Sequence, residues 1–406
     1  MPMRICILLL SSTCTHVTAI GQTSDVTSDH LSDRNRQWAA TMEGFFADDV
    51  VRAHSNSVAA IEVPPVTLES TLPRVAREEL IDASLAVGAT PSHAAGSRLR
   101  PEEADPYRTC FERDRDRILH SSSFRRLSGK TQVFVFPEDH MRTRLTHALE
   151  VAQVAVSVAR AVGLNTALTE AIALGHDCGH GPGGHASEEA LDPYVDGGFD
   201  HATWGANVSL LHLNLCTETL DGIRNHSWSR PAPSTPEGEV VSWADRIAYV
   251  CHDFEDAVSA GLVSVDDLPA IVRDRCGSTR GEQLGTFIRA MISTIQATGL
   301  IGMDTRTAEA LASFRAFNYA AIYMRDASRR QAQRVVGMLR ALVEHYGAHP
   351  DLLPGDGDFR HDVASSSAAL AHSVAYVAGM TDRFACRSAV TLLEWPIDQL
   401  PNGIDR

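Results

Sequence analysis

Hydrophobic positions recur with helical spacing through most of the chain beyond about residue 100, and convincing strands are scarce. In residues 147–164 the apolar side chains return every three or four positions, which indicates a helix with one buried stripe. Residues 168–177 read as a second apolar helix, stopped by a Gly-Pro run, and residues 240–258 as a third. The pattern therefore predicts one all-α domain over residues 99–400. Further helices are predicted at 282–297, 305–325, 327–346 and 363–380.

The first 98 residues differ from the rest of the chain. They are rich in Ser, Thr, Ala and Asp, with few aromatic residues and no sustained periodicity. Such segments do not bury enough apolar surface to offset the entropy of ordering, so we expect a flexible, disordered N-terminal extension with one candidate helix in RVAREELIDASLAVGA. The apolar run Ile5–Leu10 is shorter than the hydrophobic region of a usual signal peptide.

Charge and cysteine content exclude several classes of protein. Lysine and arginine total 36 against 51 aspartates and glutamates, a formal charge of −15, which disfavours a nucleic-acid coat or an anionic-membrane binder. No apolar run reaches the length of a membrane helix. The eight cysteines are scattered without a CxxC pair, which favours a reducing, cytoplasmic compartment. A local basic pocket for a phosphate-bearing ligand is compatible with this balance.

Three of the predicted helices each carry a metal-competent group where a buried apolar residue is expected. His147 lies on the apolar stripe of the first helix, His176 and Asp177 end the second, and Asp245 lies on a stripe of the third. Buried charges are costly unless they are paired or bind a metal. Taken singly, each residue is an ordinary core histidine or salt-bridged aspartate. Together, two imidazoles and two carboxylates suit Mn, Fe, Ni, Co or Zn better than Mg.

These four residues, in this order, resemble the metal-binding pattern of the HD superfamily of phosphohydrolases. The blocks RDRDRILHSSSFRRLSGKTQVF, EAIALGHDCGHGPGGHASEEAL and ADRIAYVCHDFEDA resemble, in order, those of the dGTP triphosphohydrolase family. The resemblance is dense over residues 105–260 and loose over the predicted C-terminal helices, 282–400. It implies an HD-domain helical phosphohydrolase fold and metal-dependent cleavage of deoxynucleoside triphosphates, nominally dGTP, at the α-phosphate to deoxynucleoside and tripolyphosphate. It also implies Mg²⁺ bound with the dNTP substrate, a homo-oligomer, and in some relatives a dNTP effector.

A second histidine cluster supplies candidates for acid–base catalysis. Glu188 follows His185 by three residues, so its carboxylate lies one helical turn away and favours the protonated imidazole. The resemblance implies that His185 and Glu188 are the acid–base pair, with His180 and His201 lining the phosphates or assisting. Which histidine donates the proton stays open. The alternative from the residues alone is a tight turn with solvent-facing histidines.

Substrate contacts are expected on both sides of the metal ligands. Arg144, one turn before the first histidine ligand, has the spacing to meet a phosphate. The resemblance implies that Arg246 also contacts phosphate, and that Gln132, Tyr249 and Asp253 read the deoxyribose. The alternative is that Arg246 and Asp253 form surface salt bridges and that Tyr249 belongs to the core.

Two positions depart from the usual family pattern. Cys178 stands where leucine is common, and Gly183 stands where phenylalanine is common, which predicts a looser turn or a wider base pocket. A later segment, FRAFNYAAIYMRD, resembles the helix that closes the nucleotide site, so Asn318, Tyr323 and Arg325 are candidates without assigned roles. Alternative functions are a 5′-deoxynucleotidase, a phosphodiesterase, or an inactive regulator that binds nucleotide or single-stranded nucleic acid.

Overall fold

The computed structural model describes residues 32–35, 45–47, 49–58, 60, 74–93 and 96–403. Contacts group the chain into a small unit, Leu10–Thr71, and a main unit that includes Leu72–Arg406. In the small unit, strand β1 (Phe45–Ala47) pairs antiparallel with strand β2 (Val50–Arg52). The expected disorder of the remaining N-terminal residues, and the run Ile5–Leu10, fall outside the described residues.

The main unit is built from helices, which confirms the all-α prediction. A helix occurs at each of the seven predicted places, whereas the helices over residues 110–120, 217–225 and 382–393 were not predicted. Within the described ranges, no helix combines the length and apolarity needed to cross a membrane. The helices are α1 (Arg74–Asp82), α2 (Cys110–His120), α3 (Ser122–Arg126), α4 (Arg144–Val162), α5 (Thr166–Gly175), α6 (Ala186–Leu191), α7 (His201–Trp204), α8 (Thr217–Asn225), α9 (Pro236–Ser259), α10 (Ala270–Cys276), α11 (Arg280–Thr298), α12 (Thr305–Asn318), α13 (Asp326–Ala348), α14 (Ser367–Ala378) and α15 (Asp382–Leu393), with π-turns at Gly205–Ser209 and Tyr319–Tyr323.

Capping residues determine where the site-bearing helices begin and end. Helix α4 ends at Gly163, whose φ of 75° is a left-handed conformation that glycine adopts at little cost. Helix α9 begins with Pro236, and the Thr235 hydroxyl accepts a hydrogen bond of 3.1 Å from the Gly238 amide. The helix therefore begins four residues before the predicted start at residue 240, because proline fits the first helical position, where its missing N–H costs no hydrogen bond.

Two hydrophobic cores meet at the turn between α5 and α6. The larger core includes fully buried Val154, Ile172 and Val241, from α4, α5 and α9. The second core joins α6, α13, α14 and α15 through residues such as Leu191 and Leu339. The segment that connects α5 to α6 therefore passes from one core to the other, and it carries the second histidine cluster.

Part of the expected N-terminal extension packs against the helical unit. The Arg77 guanidinium donates to both carboxylate oxygens of Glu112, at 2.6 and 2.5 Å. The Ala86 amide donates to the Gly163 carbonyl at 2.7 Å. The folded unit thus begins before the expected boundary at residue 98, because residues 74–93 supply polar partners as well as a helix.

Candidate active site

The four predicted metal ligands converge from three helices. His147 lies in α4, His176 and Asp177 follow α5, and Asp245 lies in α9. The Nε2 atom of His147 is 3.0 Å from Oδ1 of Asp245. The Nε2 atom of His176 is 3.6 Å from Oδ2 of Asp177 and 3.6 Å from Oδ1 of Asp245. These separations are those of atoms that share one coordination sphere.

The orientation of His176 fits a bound cation. Its Nδ1 donates to the Ala173 carbonyl at 2.7 Å, so Nε2 carries the lone pair, and that buried atom has no hydrogen-bond partner among the described residues. A buried nitrogen without a partner is costly, and a metal removes that cost. Burial opposes ionisation of Asp177, yet Arg144 and His176 hold the pKa of this carboxyl well below its usual range. Two imidazoles and two ionised carboxylates therefore fit a divalent transition metal.

Arg144 is a buried cation beside this ligand set. Its Nη1 donates to Oδ2 of Asp177 at 2.7 Å, while Nε and Nη2 have no hydrogen-bond partner in the described part of the chain. Gly184 allows this approach, since a Cβ at that position would lie 2.8 Å from Nη2 of Arg144. The guanidinium therefore keeps donors available for an anionic ligand.

One carboxylate orients two imidazoles of the second cluster. Glu188 lies 3.1 Å from Nδ1 of His185 and 2.5 Å from Nδ1 of His201. Burial raises the pKa of Glu188, but the two imidazoles outweigh it and hold the pKa below its usual range. The side chain of His185 is 71% exposed, whereas His180, stacked on His201 at 3.8 Å, is buried. His185 is thus an oriented imidazole that solvent and ligands reach.

The glycine turn that carries these histidines is fixed from the far end of the chain. The Gly183 amide donates to Oδ1 of Asp382 at 2.8 Å, and the Thr131 hydroxyl donates to Oδ2 at 2.6 Å. Gly183 has a φ of +76°, and a Cβ there would lie 2.5 Å from Cγ1 of Val335. These contacts hold the turn closely against α13, contrary to the expected looser turn, whereas the wider base pocket stays a prediction.

At the other end of the site, two predicted sugar contacts bond to later residues. The Tyr323 hydroxyl donates to Oδ2 of Asp253 at 2.5 Å, and Oδ1 of this buried carboxyl has no partner among the described residues. Burial raises the pKa of Asp253 to about 7. The Tyr249 hydroxyl accepts a hydrogen bond of 2.8 Å from Nε of Arg315. Asp253 is therefore not part of a surface salt bridge, and Tyr249 is not a plain core residue.

A single cavity of about 480 Å³ joins these groups, a volume typical of small-molecule sites. Arg246 lies at its wall with its guanidinium carbon 3.5 Å above the ring of Trp228. All but two of the predicted site residues line the cavity, and the exceptions, His176 and Glu188, contact lining residues from behind. The predicted residues that line it are Gln132, Arg144, His147, Asp177, His180, His185, His201, Asp245, Arg246, Tyr249 and Asp253.

Comparison with known proteins places this site in a family. Residues 144–250 match the HD domain model, and residues 301–390 match the phosphohydrolase-associated domain model. A deoxyguanosinetriphosphate triphosphohydrolase-like protein of Caldanaerobacter subterraneus subsp. tengcongensis is 41% identical over 315 residues, covering 76% of this chain and 92% of the relative. The chain belongs to the dGTP triphosphohydrolase-like family of HD-domain proteins. Similarly named relatives of Clostridium perfringens (39% identical over 303 residues, 71% of this chain and 87% of the relative) and Geobacter sulfurreducens (34% over 371 residues, 77% and 96%) agree.

The two matched domains of this HD-family hydrolase contribute different residues to the site. All four metal-ligand candidates fall within the HD domain. Arg315, Tyr319, Tyr323 and Arg325 line the cavity from the associated domain. Asn318 does not line it; its side-chain amide donates to a carbonyl of α9 at 2.8 Å.

One histidine of this family member escaped the sequence analysis. His226 lines the cavity, its Nδ1 donates to the Ile223 carbonyl at 2.8 Å, and its Nε2 lies 3.2 Å from Nε2 of His201. Burial and the neighbouring histidines lower the pKa of His226 to about 4. Helical periodicity gave no signal for His226, because it follows the short helix α8 and lies on no predicted apolar stripe.

Proposed function

We propose that the protein hydrolyses deoxynucleoside triphosphates, nominally dGTP, at the α-phosphate and releases deoxynucleoside and tripolyphosphate. The observation that carries this proposal is the meeting, in one cavity, of a four-ligand metal set with the exposed, carboxylate-oriented imidazole of His185. The names of the relatives agree with a nucleoside triphosphate as substrate. The cavity is large enough for such a ligand.

The phosphate end of the cavity is built to hold negative charge. His147, His176, Asp177 and Asp245 would hold a divalent transition metal, which supplies Lewis-acid polarisation of a phosphoryl oxygen. Arg144 directs unpaired guanidinium donors beside this set, so it binds and orients a phosphate oxygen.

His185 is the candidate general acid. Cleavage between the α-phosphorus and the 5′ oxygen leaves an alkoxide, which is a poor leaving group unless it is protonated. The carboxylate of Glu188 accepts a hydrogen bond from Nδ1 of His185, which orients Nε2 away from the carboxylate. His185 is therefore positioned to donate a proton from Nε2 to the departing 5′ oxygen.

The nucleoside end of the cavity carries a hydrogen-bond acceptor, the Asp253 carboxyl, and a phenol hydroxyl, that of Tyr249. Oδ1 of Asp253 has no partner within the described residues and lies at the cavity wall, so it accepts a hydrogen bond from a sugar hydroxyl. Tyr249, held by Arg315, lies one turn earlier on the same helix. These two residues and Gln132 thus orient the deoxyribose with the α-phosphate toward His185.

Product analysis tests this proposal. We would incubate the purified chain with each dNTP and Mn²⁺ and separate the products by ion-exchange chromatography, with Asp245→Ala as the inactive control. Equimolar deoxynucleoside and tripolyphosphate are expected from the wild type. Orthophosphate or a monophosphate product would instead indicate a nucleotidase or a phosphodiesterase. Tight dNTP binding without products would indicate a regulator.

A further inference from the structure

Arg246 is a cation at the cavity wall that the protein does not pair. It is partly buried, and its guanidinium forms no hydrogen bond and no ion pair with the described residues. Burial lowers the pKa of Arg246, since the cation loses water without gaining a hydrogen-bonded carboxylate in return. The N–H donors of this guanidinium are therefore available to an anion in the cavity.

The face of an indole supports this guanidinium. The Cζ atom of Arg246 lies 3.5 Å from the ring centroid of Trp228. If an N–H pointed at the ring, a nitrogen would lie between Cζ and the ring and the distance would be larger, so the two planes are stacked. The N–H bonds of a stacked guanidinium lie parallel to the indole and point past its edge. Arg246 can therefore stack on Trp228 and donate to phosphate oxygens at the same time.

Trp228 is itself held in place by the helix that carries Arg246. It lies in the loop between α8 and α9, where the Ser242 hydroxyl of α9 donates to the His226 carbonyl at 2.5 Å. Trp243, one turn before Arg246 on α9, contacts the Trp228 ring edge to face, with ring centroids 4.7 Å apart. The indole is thus fixed between two side chains of one helix face.

The place of Arg246 along α9 suits the phosphate chain of a nucleotide. Arg246 directly follows Asp245, a candidate metal ligand, and Tyr249 of the nucleoside end comes one turn later. Arg144, which donates to Asp177, lines the same cavity from α4. Two guanidiniums from different helices therefore border the metal ligands, where a chain of phosphates needs positive charge.

We propose that Trp228 is a positioning residue for substrate binding, whose indole holds the Arg246 guanidinium where it meets the phosphate chain. Within the described residues Trp228 belongs to no hydrophobic core, and it is 48% exposed, so core packing does not account for an indole fixed here. A stacked arginine has already lost part of the rotamer freedom that phosphate binding would otherwise remove. The inference deepens the proposed function, because it takes the triphosphate as the ligand of Arg246.

Binding of inorganic tripolyphosphate tests this inference without turnover. The Mn²⁺-loaded full chain, freed of unbound Mn²⁺ by gel filtration, is titrated calorimetrically with tripolyphosphate and, separately, with deoxyguanosine. In Trp228→Leu we expect the Kd of tripolyphosphate to rise about five- to tenfold, as loss of a partly desolvated cation–π contact predicts. The Kd of deoxyguanosine, which carries no phosphate, should stay within about twofold of the wild-type value.

A double-mutant cycle with Arg246→Gln distinguishes positioning from a purely structural role. If Trp228 acts through Arg246, Trp228→Leu has no further effect on tripolyphosphate binding once the guanidinium is absent. Equal losses with and without the guanidinium overturn the proposal, and so does wild-type affinity in Trp228→Leu. A parallel loss of deoxyguanosine binding also overturns it, since the nucleobase would then be the group that stacks on the indole.

The matched control is Trp395→Leu, a half-buried tryptophan that packs against the second core and does not line the cavity. It should bind both ligands as the wild type does. Where Trp228→Leu fails to fold, Trp228→Gln takes its place with the same expected results, because glutamine also lacks an aromatic face and suits an exposed loop. A chain that shows this coupling but releases other products from dNTP would contradict the proposed function and leave the role of Trp228 intact.

Discussion

The two ends of the cavity differ in how their side chains are positioned. At the metal end, His147 and Asp245 lie on inward stripes of their own helices, and both helices belong to the HD domain. At the nucleoside end, Tyr249 and Asp253 lie on helix α9, near the end of the HD domain match. Their hydrogen-bond partners, Arg315 and Tyr323, come from the associated domain. The position of a side chain on its own helix can be predicted from the periodicity of that helix. The partners that a side chain finds on an element far away in the sequence cannot be predicted in this way. Variants at the two ends should therefore fail differently.

The largest effect is expected from loss of a metal ligand. Asp245→Ala removes an oxygen that lies close to both ligand histidines, 3.0 Å from His147 and 3.6 Å from His176, so turnover should fall to background as the bound metal is lost. Activity and metal content, measured on the same sample, check this outcome. Asp274→Ala, at an exposed position of α10, is the control. An Asp245→Ala protein that keeps full metal content and activity would contradict the ligand assignment.

Next in size is the loss of the general acid. His185→Ala should retain metal and bind dNTP, while kcat falls by about 10²- to 10⁴-fold, the usual worth of a placed acid or base. Glu188→Gln should show a smaller loss, since it leaves the imidazole in place without its partner. Steady-state kinetics with metal analysis measure both. A decrease below tenfold for His185→Ala would direct attention to His180 or His201 as the proton donor.

This contrast also explains what the sequence could predict. The fold and the metal end could be predicted from helical periodicity, because a polar residue on an apolar stripe is recognised as an exception in the sequence. The contact of Asp382 with Gly183 joins residues 199 positions apart, and no local pattern reports it. His226 lies after a short helix, where periodicity carries little information. The family resemblance supplied the nucleoside-end residues, but not the partners that hold them.

A variant at Asp382 tests whether the associated domain also serves the phosphate end. Asparagine offers one acceptor oxygen where Gly183 and Thr131 both donate, so one buried donor is left without a partner. Since small misplacements of catalytic groups cost up to about 10²-fold, kcat should fall about 10- to 10²-fold with KM and metal content unchanged. Asp362→Asn, which breaks a contact with His372 in the same domain, is the control. An equal loss in both variants would indicate a general stability effect.

A smaller effect is expected where Tyr323 holds Asp253. Tyr323→Phe removes the hydroxyl that donates to this carboxyl within the described residues, and hydrogen bonds to charged groups contribute about 1.5–3 kcal/mol. We expect kcat/KM for dNTP to fall about tenfold, mainly through KM, with metal content unchanged. Tyr319→Phe, whose ring also lines the cavity, should stay within about twofold of wild type. A fall in kcat alone would place Tyr323 at the chemical step instead.

The smallest effect concerns a buried cation that holds the backbone at the phosphate end. Lys130, the only lysine of the chain, lies next to Thr131, and its ammonium donates to the carbonyls of His180 and Ala378. Burial lowers the pKa of Lys130 from its ordinary value of 10.5 to about 7. Above pH 7 the unfolded chain therefore binds a proton that the folded chain releases, and stability should rise with pH until about 10.

Because no other lysine is present, protein labelled with [ε-¹³C]lysine gives one side-chain resonance, and its titration should centre near pH 7. The same window can be followed by urea unfolding at pH 7, 8 and 9, comparing wild type with Lys130→Met. The difference in unfolding free energy should shift in favour of the wild type as pH rises, since the wild type sheds a buried charge that methionine never carries. A resonance that titrates near 10.5 would show that the two carbonyls hold the ammonium charged. In that case the free-energy difference would not change with pH over this window, and Lys130 would be a buried cation that stays charged.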